Sequence, residues 1–242
     1  MLEAGFWGLV GGVALLVGAG IGLAWPARPR VIGLVMGFGA GVLISALAFE
    51  LTDEAYTRGG ADAVAIGLAL GALTFYGGDR WLDGRGGKDR KRSNGNQAGA
   101  AGMGLVLGAL LDGIPESVAI GSSLIGGGGV GVAVVAAVFL SNVPESLSAA
   151  TGLRAAGRST RWILGLWTAV MLVSALSAAV GYGVLGGASP DLLGAIQAFA
   201  AGAILTMLAD TMMPEAFENG GSLVGLVTVL GFALAFLLST VE

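Results

Sequence analysis

From Val130 to Ser148 the chain reads VGVAVVAAVFLSNVPESLS. The first eleven residues are non-polar without a break, whereas a transmembrane strand would alternate in segments of about 10 residues. A membrane helix accounts for the pattern, and the rest of the chain has the same character. Of 242 residues, 55% are hydrophobic, 12% are charged and 45 are glycine, with a mean hydropathy of +0.85. A soluble domain carries roughly 25% charged residues. Too little polar surface is present to face water all round, so the expected class is an all-α integral membrane protein forming a single transmembrane domain over residues 1–242.

A helix needs about 20 residues to cross the hydrocarbon core. Eight apolar segments meet that length, at about 5–25, 31–52, 62–82, 100–125, 130–152, 162–187, 191–213 and 221–241. The first has only Glu3 before it and no basic leader, so it is read as segment 1 and not as a cleaved signal. Many glycines fall inside these segments, where they allow close helix approach. Residues 83–99 form a polar, basic loop between segments 3 and 4. With the N-terminus outside, the inner loops collect Arg28, Arg30, Arg80, Arg85, Lys88, Arg90, Lys91, Arg92, Arg154, Arg158 and Arg161, which is 11 of the 12 basic residues. That asymmetry predicts a multi-pass plasma-membrane protein with both termini outside and the 83–99 loop in the cytoplasm.

Two internal repeats organise the segments. GFGAGVLISALAFELTDEAYTRGG, Gly37 to Gly60, aligns without gaps on AFAAGAILTMLADTMMPEAFENGG, Ala198 to Gly221, at an offset of 161. Phe38 matches Phe199, Gly41 matches Gly202, Leu47 matches Leu208 and Glu54 matches Glu215. LLDGIPESVA, Leu110 to Ala119, matches FLSNVPESLS, Phe139 to Ser148, at an offset of 29. The partners lie an odd number of segments apart and so cross in opposite directions, as in inverted-repeat transporters. Segments 1–3 are thereby related to 6–8, and segment 4 to segment 5.

The chain has no histidine and no cysteine, which removes imidazole and thiolate chemistry. A net charge of −4 gives no basic footprint for nucleic acid. What remains is carboxylates, amides and hydroxyls. Asp112 and Glu116 lie four residues apart and share a helix face, as do Ser141, Glu145 and Ser148, with Asn142 alongside. All lie about halfway along their segments. An ionisable group at the bilayer centre costs at least about 2.5 kcal/mol on insertion scales, so it marks a functional site. Segments 4 and 5 hold no Lys or Arg core residue to neutralise these acids, which leaves protons or a cation. Pro115 and Pro144 free the carbonyls of Leu111 and Leu140, which suits a cation and is equally the work of an ordinary kink. Glu50, Asp53 and Glu54 end segment 2 at the outer mouth; Asp210, Glu215 and Glu218 end segment 7 at the inner one. Such acidic ends concentrate cations, or else serve as interfacial caps, a reading that fits Asp210 least because it precedes the helix end.

With these features the sequence resembles the ZIP family of divalent-metal transporters (Zrt-, Irt-like proteins), of bacterial type, over nearly the whole chain. Family members typically carry His-Asn-x-Pro-Glu-Gly on helix 4 and a His- or Gln-initiated counterpart ending in Pro-Glu-Gly on helix 5. Here the stretches are Asp112-Gly113-Ile114-Pro115-Glu116-Ser117 and Ser141-Asn142-Val143-Pro144-Glu145-Ser146. Both prolines and both glutamates match; neither histidine does. The resemblance implies a metal site of Asp112, Glu116 and Glu145 with Ser141 and Asn142 as auxiliaries, one all-oxygen site in place of a two-metal centre. Oxygen ligands lean towards Mn²⁺, Fe²⁺ or Mg²⁺ and still accept Zn²⁺. The implied partners are the transported divalent ion and the lipid bilayer, with a homodimer left open, and no prosthetic group is expected.

Two further readings stay open. Paired carboxylates also serve intramembrane enzymes acting on a lipid phosphate or a peptide, but only serines accompany them at mid-depth, so an enzyme is not expected. A divergent, non-transporting family member would keep the fold for partner binding or sensing, and the loss of both histidines favours it.

Overall fold

The computed structural model describes residues 1–25, 27–85, 102–125 and 132–240 and, among them, is helical with no strand. The elements are α1 (Leu2–Ala24), α2 (Pro29–Ala46), α3 (Thr52–Asp83), α4 (Gly102–Ser123), α5 (Val132–Ala155), α6 (Thr160–Leu185), α7 (Pro190–Met207), α8 (Met213–Gly220) and α9 (Leu223–Ser239). Two π-helical turns, Leu47–Leu51 and Leu208–Met212, join α2 to α3 and α7 to α8. Five helical stretches among the described residues are long and apolar enough to cross a membrane.

The helices begin where the chain removes or satisfies the free amides of a first turn. Pro29 and Pro190 stand at the starts of α2 and α7, where a missing N–H costs nothing. Ser159 and Ser189 precede α6 and α7, and their hydroxyls accept from Trp162 N and Leu192 N.

The expected division into eight separate segments is altered in two places. Segments 2 and 3, expected at 31–52 and 62–82, lie in one helical stretch, Pro29–Asp83, of 55 residues. The polar run that reads as a segment end stays helical, with Arg58 donating back to Glu54 one turn earlier. The stretch turns at Gly60, whose φ of 70° and ψ of −173° break the helix at a conformation that glycine adopts without penalty. The last segment is α9, 17 residues long, against the expected 221–241. Of the basic 83–99 loop, residues 86–99 lie outside the described residues.

The 161-residue repeat extends to the backbone. Pro29 and Pro190, the π turns Leu47–Leu51 and Leu208–Met212, and the left-handed glycines Gly60 and Gly221 all stand at that offset. Neighbours follow the same rule. α2 packs on α9 while α7 packs on α3; α5 lies against α1 and α2 while α4 lies against α6 and α7. α4 and α5 make little contact with each other.

Small residues let these pairs approach to backbone contact. A Cβ on Gly41 would lie 1.9 Å from Thr228 O, and one on its counterpart Gly202 2.3 Å from Leu68 O. The outer faces are apolar: Leu226, Val229, Leu230 and Leu237 of α9, Leu70 and Leu73 of α3, and Leu172, Leu176 and Val184 of α6 are all exposed. A continuous surface of this kind is matched to lipid and not to water. We expect Gly41→Leu to lower stability by about 1–3 kcal/mol through overpacking. Gly225→Ala, with open space around it, should leave stability unchanged or raise it slightly. Thermal unfolding of the detergent-solubilised protein separates the two.

Candidate functional site

Helix periodicity puts Asp112 and Glu116 on one face of α4, and both are 2% exposed. Pro115 lies between them inside the helix. On α5, Ser141, Asn142, Glu145 and Ser148 are all buried around Pro144. Two glycines clamp this motif. A Cβ on Gly39 of α2 would meet Pro144 Cγ at 2.9 Å, and one on Gly18 of α1 would meet Val143 O at 2.1 Å.

Several of the expected auxiliary ligands are engaged by the scaffold. Asn142 Nδ2 donates to Gly11 O at 3.1 Å, tying α5 to α1. Ser141 Oγ donates to Val138 O of its own turn at 3.0 Å. Ser117 Oγ, beside Glu116, donates to Gly113 O at 2.6 Å. Ser148, one turn beyond Glu145, donates to Glu215 Oε1 at 3.4 Å and so links α5 to α8.

The buried carboxylates are Asp79, Asp112, Glu116, Glu145 and Glu215. Among the described residues no Lys or Arg is buried. The interior of the bundle is therefore acidic without a buried basic residue to match it. Among the described residues no group of three Asp or Glu side chains is placed to hold one metal ion. Asp112 and Glu116 lie on α4 and Glu145 on α5; α4 rests mainly on α6 and α5 mainly on α1, and both helices touch α1.

The expected mouths are likewise sorted. Glu50 is half-buried and lines a small cleft, with space of about 10 Å³, together with Ser45, Ala46, Ala133, Ala235 and Ser239. Asp53 is exposed. Glu54 is half-buried, accepts from Gln197 Nε2 at 2.9 Å and pairs with Arg58. Asp210 and Glu218 are exposed. Glu215 is 2% exposed.

Two buried polar residues escaped the sequence reading. Gln197 is 1% exposed and Asp79 is 8% exposed. Gln197 was visible as the single side-chain amide of segment 191–213. Asp79 stands next to Arg80 and reads as part of a segment end. No protein-family profile and no curated protein sequence matches the chain.

If Asn142 holds α5 to α1, Asn142→Ala should lower stability by about 1 kcal/mol. Ser141→Ala should leave it nearly unchanged, because that hydroxyl bonds only within its own helix turn in this arrangement. Unfolding of the two variants in mixed detergent checks the difference.

Proposed function

We propose that this chain is a multi-pass transporter that carries a divalent metal cation across the plasma membrane by alternating access. The observation that carries the reading is the set of buried carboxylates on α4, α5 and α8 with no buried Lys or Arg among the described residues. Negative charge at membrane depth calls for a mobile positive partner. The backbone-level repeat supports eight segments in an inverted arrangement, with segments 1–3 related to 6–8 and segment 4 to 5. In this topology Gly60 separates segments 2 and 3, and the basic loops put both termini outside.

Glu116 and Glu145 are the primary ligands in this proposal, with Asp112 as a third and Ser141 or Asn142 auxiliary. The Pro-Glu carboxylates lie on two helices that make little direct contact, and in this proposal ion binding draws α4 and α5 together and ion release lets them part. An ion bound between them couples its own occupancy to the movement of one helix group against the other. Protonation of either glutamate discharges the ion, so downhill flow and proton exchange both fit. An all-oxygen ligand set favours Mn²⁺, Fe²⁺ or Mg²⁺ and accepts Zn²⁺. The matching Pro-Glu pairs, Pro115-Glu116 and Pro144-Glu145, make a ZIP-like transporter the nearest description.

A second reading is favoured by the absence of both motif histidines: a non-transporting ZIP-like membrane protein that binds or senses. Uptake by proteoliposomes decides between them. Mn²⁺ uptake should fall at least tenfold, about 1.4 kcal/mol in barrier terms, in Glu116→Ala and in Glu145→Ala. Wild-type rates in both variants would sink the assignment, and an inactive wild type would select the non-transporting reading.

A further inference from the structure

Glu54 and Arg58 form an i,i+4 pair whose side chains are 33% and 21% exposed. Alone, such a pair is an ordinary feature of a helix surface. Its surroundings are not ordinary. Arg58 Nη2 lies 2.5 Å from Glu54 Oε1 and also 2.5 Å from the main-chain oxygen of Ile125, at the C-terminal end of α4. Glu54 Oε2 accepts from Gln197 Nε2 of α7 at 2.9 Å. Gln197 is 1% exposed, and its Oε1 has no hydrogen-bond partner among the described residues. One guanidinium thus ties α3 to α4 and, through Glu54, to α7, and an amide oxygen is left unsatisfied beside the carboxylate.

The chemistry around Arg58 Nη2 is that of a cation held by oxygens. A carboxylate oxygen and a main-chain carbonyl both face it, the oxygen ligand types that hard divalent cations also take. A buried amide oxygen without a donor is costly unless something electropositive reaches it. The repeat sharpens the point. Glu215 is the counterpart of Glu54, but the counterpart of Arg58 is Asn219, which is neutral and donates to Glu215 O at 3.0 Å. A tethered cation stands at this end of the molecule and not at the equivalent position.

We propose that the Arg58 guanidinium is a built-in counter-ion that holds shut a gate at this end, and that a divalent cation opens it by taking its place at Glu54. The entering ion takes the Glu54 carboxylate and Gln197 Oε1 as ligands. Arg58 then releases Ile125 O, and the end of α4 is freed from α3. α4 carries Asp112 and Glu116, so the displacement opens the way towards them. The purpose of this gate rests on the transport reading above; the gate itself is tested without transport.

The absence of native cysteine makes the test clean. Ser122 is 1% exposed, lies on α4 one turn before Ile125 and donates to Ala119 O of its own helix. Ser122→Cys therefore reports opening through its reaction rate with a charged maleimide, measured on the full chain in detergent micelles. Without metal, adding Arg58→Gln should raise the rate at least about fivefold. Mn²⁺ should accelerate the parent and leave the Arg58→Gln protein unchanged. Gln197→Leu keeps the Arg58 contacts but removes a ligand oxygen, so its metal-free rate should match the parent while its Mn²⁺ response is lost. Equal metal-free rates in parent and Arg58→Gln overturn the proposal, and so does a full Mn²⁺ response in Gln197→Leu. The second arm decides alone if Arg58→Gln does not fold. A chain that moves no metal can pass this test, and a chain with intact uptake can fail it.

Discussion

A carboxylate inside an apolar bundle must either lose its charge or share it, and this constraint governs the molecule. Asp112, Glu116, Glu145 and Glu215 are withdrawn from solvent while every described Arg stays at least partly exposed. Interior hydroxyls and amides bond to the backbone or to the carboxylates, as Asn142 does with Gly11 and Ser148 with Glu215. They contribute dipoles but no positive charge. On the transport reading proposed above, such an interior takes up protons or cations with an affinity that changes with the distance between α4 and α5.

That distance is set by how the helices are shared out. Glycines bring α2 against α9 and α7 against α3 at backbone contact, pairings that admit no side chain between them. α4 and α5 make little direct contact and share α1 as a neighbour. Gly18 and Gly39 hold α5 as closely as the other pairs, so α5 belongs to the same interlocked frame. Dispersion between close backbones supplies the rigidity of the frame, because lipid offers no hydrophobic drive for helix association.

The helical class was legible in the chain because continuous apolar runs such as Val130–Leu140 admit little else. The repeat was legible too, since the shared Glu-Ala and Gly-Gly identities mark positions whose backbone recurs at Gly60 and Gly221. Other features depended on packing between distant parts of the chain. Asn142 and Gly11 are 131 residues apart, so nothing local tells that this amide serves the scaffold. Nor does local pattern reveal that α4 rests mainly on α6 and α5 mainly on α1. Asp210 and Glu215 were weighed by their distance from a helix end, whereas the direction each faces around the helix decides their burial. Gln197 gained its meaning from Glu54, 143 residues away.

The paired π turns carry a consequence for how the two halves tolerate change. A π turn widens one turn of the helix, so the side chains beyond it take facings that the same residues in an unbroken α-helix would not have. Leu47–Leu51 and Leu208–Met212 hold such a turn at equivalent places. Straightening either one without removing a residue would rotate Glu54 and Arg58, or Glu215 and Asn219, around the helix relative to the glycines that lock α2 and α7 onto their neighbours.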